Sequence, residues 1–119
     1  MRLAYAHEAV LVTHPDADLR APGAAITVEL CGHWEHPPPC PLAAHHTRVE
    51  QVGDRVVLRT LFATEPADEQ VVRDRIDIAL SAGQMHGPDG AVTHWRLHSS
   101  RRSDLTAEEA RHAQRLTGT

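Results

Sequence analysis

The sequence predicts an α+β domain, an antiparallel or mixed sheet of about five strands with two helices packed on one face. Three observations carry that prediction. Segments whose apolar residues alternate with polar ones stand mostly early in the chain, and two segments with helical spacing and matching end signals stand late. The chain is 119 residues with 41% hydrophobic and 24% charged residues, enough to bury one core but not two. Residues 1–119 therefore read as a single domain.

Leu3 to Val12 is the first expected strand: Leu3, Tyr5 and His7 alternate with Ala4, Ala6 and Glu8, and Val10-Leu11-Val12 completes an apolar run. His14-Pro15-Asp16 ends it. Asp16 to Gly23 reads as a loop, because Pro22 and Gly23 break regular pairing. Ala25 to Cys31 alternates again, Ile26, Val28 and Leu30 against Thr27, Glu29 and Cys31, and predicts a second strand. Thr47 to Gln51 and Arg55 to Ala63 flank Val52-Gly53-Asp54 and predict a hairpin.

Pro66 to Ala82 carries a helical stripe of Val72, Ile76, Ala79 and Leu80, with Thr64 placed to cap it, acidic residues at its start and Gly83 at its end. After Gly87-Pro88-Asp89-Gly90, Ala91 to Ser99 reads as a fifth strand, with Trp95 and Leu97 opposed to His94, Arg96 and His98. Thr106-Ala107-Glu108-Glu109 is a capping box and opens a short final helix.

Composition excludes several classes of function. No apolar run approaches the roughly 18 residues of a membrane span, and the N-terminus lacks a basic stretch followed by an apolar core, so a cytoplasmic location away from membranes is expected. A net charge of -4, with Arg101-Arg102 as the one basic pair, offers no face for nucleic acid. There are 10 His against only four aromatic residues (Tyr5, Trp34, Phe62 and Trp95), which favours ligand chemistry over aromatic packing.

That chemistry concentrates between Cys31 and His46, which holds both cysteines and four of the histidines, His33, His36, His45 and His46. Zinc takes thiolate and imidazole donors in a tetrahedron, and a structural site needs four at spacings that let the chain fold back. Cys31, His33, Cys40 and one of His45 or His46 meet that requirement, with His45 favoured for its shorter spacing from Cys40 and His36 as a further donor. Cys31 and His33, two apart, leave an extended chain on the same side, and Gly32 lets the backbone turn between them. Pro37-Pro38-Pro39 is a stiff arm of roughly 9 Å that lowers the entropy cost of returning Cys40 to the pair.

His45 and His46 are neighbours, and neighbouring side chains point to opposite faces of a strand or about 100° apart on a helix, so one of them is expected to bind. A Cys31–Cys40 disulfide is the competing use of the thiols, but it leaves the histidines unexplained and a cytosolic chain keeps its thiols reduced. Unligated cysteines beside exposed histidines are the plainest alternative. Copper binds such donors more tightly by intrinsic affinity, and zinc stands first on frequency.

The expected function is a metal-binding domain in which zinc pins the loop 31–46 and presents a surface, with Trp34 as a contact, to a protein partner. Two alternatives use the same residues: a small metalloenzyme with an open zinc position and Glu35 as general base, or a copper-handling or redox protein using Cys31 and Cys40. His33-Trp34-Glu35 followed by Pro39-Cys40 has the start of a zinc-deaminase signature, but Ala43 stands where that pattern needs Cys. His7 reads as a hydrogen-bonded core histidine, and His94, Arg96 and His98 as a solvated row. An uncovered sheet edge makes a homodimer an expected assembly.

Overall fold

The computed structural model describes residues 1–31, 43–87 and 89–117. Their order is β1 (Leu3–Thr13), α1 (Ala21–Cys31), β2 (Ala44–Val52), β3 (Arg55–Thr64), a 3-10 turn (Pro66–Asp68), α2 (Glu69–Ser81), β4 (Gln84–His86), β5 (Val92–Ser103) and α3 (Ala107–Leu116). The five strands form one sheet in the order β2-β3-β1-β5-β4, and every neighbouring pair is antiparallel. β1 and β2 thus run parallel with β3 between them, as do β3 and β5 with β1 between them. Two crossovers, through α1 and through α2, interleave in a split β-α-β arrangement.

The α+β class and the antiparallel sheet agree with expectation, but three placements differ. Ala25 to Cys31 is the end of a helix, not a strand. Among its buried positions Pro22, Ala25, Ile26 and Leu30 recur at helical spacing, and an eleven-residue run composed almost wholly of small and apolar residues satisfies both periods at once. Pro22 lies in the first turn, where a missing N–H costs nothing. The fifth strand needed to complete the sheet is instead β4, three residues long and too short to show an alternation.

There are three helices rather than two, and they do not share a face. On one side of the sheet β1 presents Tyr5, His7, Ala9 and Leu11, paired with Phe62, Thr60, Leu58 and Val56 of β3, and β2 adds His45, Thr47 and Val49. α1 and α2 cover this side. The alternate residues, among them Glu8, Arg59 and His46, face α3, as the period of two requires. The core lies under α1 and α2: Phe62, Leu11, Ile26, Leu58, Ile76 and Leu80 are fully buried, each contributing about 1.5–3 kcal/mol by removal from water. Trp95 closes the far end and donates its Nε1–H to the Leu80 carbonyl at 2.8 Å.

Polar groups buried on each face are fully partnered. On the α2 side Arg73, 4% exposed, donates to Glu69 at 2.9 Å, to the Ala6 carbonyl at 2.9 Å and to His7 Nδ1 at 3.0 Å. A guanidinium only donates, so Nδ1 is the accepting nitrogen and His7 carries its proton on Nε2. That proton goes to Ser100 Oγ at 2.6 Å, and Ser100 in turn donates to Asp77. On the α3 side Arg59 grips both carboxylate oxygens of Glu109 at 2.7 Å and also reaches Glu8 at 3.0 Å. The expected capping box is formed, with Glu109 N donating to Thr106 Oγ1 at 3.1 Å and Thr106 N to Glu109 at 2.9 Å. One carboxylate thus caps α3 and anchors it to the sheet.

Acid titration is expected to weaken the fold in two stages. Burial, then the adjacent Arg73 charge, lowers the His7 pKa below its ordinary 6.5. The unfolded chain therefore takes up that proton more readily, and the stability present above 6.5 is lost as pH falls below it. The Arg59 guanidinium, aided by the Thr106 amide, holds Glu109 down to about 2 from 4.5. This stability, up to about 3 kcal/mol, is lost as pH falls from 4.5 toward 2. Urea unfolding across the pH range is predicted to show both losses, with His7→Gln lacking the first and Glu109→Gln the second. Profiles of unchanged shape in the two variants would contradict the assignment.

Candidate metal site at the junction of α1 and β2

α1 is seated on the edge strand β2 at two successive points. At Gly23 an added Cβ would lie 2.8 Å from Thr47 Oγ1 and 3.5 Å from Thr47 Cβ. The helix backbone approaches the strand as closely as a residue without a side chain permits. One turn later Thr27 Oγ1 lies 2.9 Å from His45 Nε2. From position 23 to 27 the helix rises about 6 Å, and from position 47 back to 45 the strand runs about 6.6 Å, so the two elements run antiparallel in step. One more step sets position 31, where α1 ends, level with Ala43, which is 0% exposed. Continued at the same spacing, this register would bring the two ends of the segment 32–42 to one height of the fold.

His45 is oriented by both of its ring nitrogens. Nδ1 lies 3.2 Å from the Ala43 carbonyl oxygen, which can only accept, so Nδ1 carries the proton and Nε2 presents a lone pair. Thr27 Oγ1, 2.9 Å from Nε2, also donates to the Gly23 carbonyl at 3.1 Å, so its one proton has two acceptors within reach. It therefore has a second acceptor if the imidazole takes another partner. An imidazole fixed through one N–H to a backbone carbonyl is the arrangement metal-ligating histidines commonly use.

His46 points the other way, as the strand alternation requires. Its ring packs against that of His112 on α3, with centroids 4.5 Å apart. Partial burial, then His112 and Arg48, lower its pKa below the ordinary value. The pair borders a cavity of about 90 Å³ with Arg59, Leu61, Glu108 and Glu109. The sequence reading missed His112; the capping box sets the phase of α3, but which strand the helix meets is a tertiary outcome that no local signal reports. Cys31 closes α1, while His33, Trp34, Glu35, His36 and Cys40 lie outside the described residues. Among the described residues no three of His, Cys, Asp or Glu gather as a metal group.

In the His7–Ser100–Asp77 series the serine proton is directed to the carboxylate and the imidazole faces it with an N–H, the reverse of what activating a hydroxyl nucleophile requires. His94, Arg96 and His98 are exposed on the side opposite the buried Trp95. No described helix is long and apolar enough to cross a membrane.

Comparison with protein-family models, with curated proteins and with solved structures gave no match, so the site is argued from its own geometry. That geometry predicts a graded response at position 23. Gly23→Ala is expected to be near neutral, because the Thr47 hydroxyl can rotate aside and alanine gains about 1 kcal/mol of helix propensity. Gly23→Leu, whose further carbons meet Thr47 itself, should cost about 2 kcal/mol in urea unfolding. Equal effects of the two variants would show that α1 is not seated on β2 through this contact.

Proposed function

We propose that the segment 31–46 binds zinc through the Cys31 and Cys40 thiolates and the His33 and His45 imidazoles, with His36 as the alternative nitrogen donor. The observation that carries this reading is the orientation of His45: its Nδ1–H is committed to the Ala43 carbonyl and its Nε2 is turned to α1, one helical turn before Cys31. Its neighbour His46 faces α3, which favours His45 as the ligand of the two.

Two physical arguments add support. Holding both ends of the loop at one level shortens the closure a chelate must make, which reduces its entropy cost. The C-terminal end of a helix is electronegative, and α1 has no basic residue in its last turn, so a divalent cation there complements the helix and permits Cys31 to ionise. Bound in this way, zinc has a structural role: four protein donors fill its coordination, and the loop becomes a rigid feature that offers Trp34 to a protein partner.

Elemental analysis of protein purified under zinc-replete conditions tests the reading. One zinc per chain is expected, lost in Cys31→Ala/Cys40→Ala together with a large part of the stability, because binding energy of roughly 10 kcal/mol or more is coupled to folding. His45→Ala should weaken zinc binding while His46→Ala leaves it unchanged. Metal-free wild-type protein with both thiols open to titration, or loss of zinc in His46→Ala and not in His45→Ala, would overturn it.

A further inference from the structure

β2 is the outermost strand of the sheet and pairs only with β3 among the described residues. Which of its backbone groups face outward follows from the hairpin. Val52 and Arg55 close a two-residue turn whose first residue, Gly53, has φ 63° while no other residue type has a positive φ, the two-residue form with glycine leading. The closing pair of such a turn is hydrogen-bonded. Positions 52, 50, 48 and 46 therefore direct their N–H and C=O groups to β3, and positions 51, 49 and 47 direct theirs away from the sheet.

We infer that this outward edge pairs with the same edge of a second copy of the chain, antiparallel about a two-fold axis at Val49. The side chains select that register. With the axis at Val49, Arg48 stands opposite the partner's Glu50, and the symmetry repeats the pair. These are non-hydrogen-bonded positions, where opposed side chains come closest. An axis at position 48 would set arginine against arginine, and one at position 50 glutamate against glutamate. Arg48, Glu50, Gln51 and Val52 are all exposed, Val52 at 54%.

A second feature points the same way. A groove of about 480 Å³ runs along this edge between α1 and β2, bordered by Leu19, Gly23, Thr27, Thr47 and Val49. The two-fold axis at Val49 brings the two grooves together and gives Leu19 and Val49, only partly buried in one chain, an apolar partner surface. The edge carries no Lys, Pro or bulge of the kind that blunts unpaired strands. This inference does not depend on the metal reading.

Sedimentation equilibrium of the full chain tests it. A dimer is expected. Val49→Pro removes an outward N–H without removing a β2–β3 bond, so it should give a folded monomer. Glu50→Arg places like charges opposite one another twice and should weaken the dimer about tenfold, and Arg48→Glu/Glu50→Arg should restore it. Should Val49→Pro fail to fold, the exposed charge variants decide the matter alone. A wild-type monomer at every concentration, or a dimer that Glu50→Arg leaves unweakened, overturns the inference.

Discussion

α1 packs chiefly against α2 and β4, and its close approach to β2 at two points is the constraint on which the candidate site depends. It depends on a small residue at position 23, where Gly23 lets the Thr47 side chain reach the helix backbone, and it is continued one turn later by the contact between Thr27 and His45. A helix anchored at two successive turns cannot slide or rotate on its strand.

The sheet separates two sets of polar chemistry. Its α1/α2 side holds a neutral histidine and a buried arginine whose hydrogen bonds are directional throughout, from Arg73 to His7 to Ser100 to Asp77. Its other side holds the Arg59–Glu109 pair that secures α3. The adjacent histidines of β2 divide between these environments: His45 is oriented by backbone and hydroxyl groups near the helix end, while His46 stacks on His112. A sequence dipeptide thus becomes two residues with unrelated surroundings.

Much of this was legible in the sequence where one period dominated. The alternation in β1 and β3, the stripe of α2 and the reciprocal cap of α3 each had a local physical signature, and each element formed. The opposite orientations of His45 and His46 come from a strand that starts at Ala44, before the Thr47 start the sequence suggested. Ala25 to Cys31 misled because Ile26, Val28 and Leu30 fit a strand period while Pro22, Ile26 and Leu30 fit a helical one. The helical stripe is the one that packs against α2 and β4, a non-local event. β4 is too short to carry a pattern, and the meeting of His46 with His112 joins residues far apart in the chain. For the candidate site, the donor types and spacings were visible beforehand, whereas the Thr27 and Ala43 contacts that set the His45 tautomer were not.

The metal reading turns on the donor set around one ion at the end of α1. Zinc K-edge X-ray absorption on the zinc-loaded protein measures that set directly. Two sulfur neighbours at about 2.3 Å and two imidazole nitrogens at about 2.0 Å are expected. A shell of oxygen and nitrogen without sulfur would contradict it.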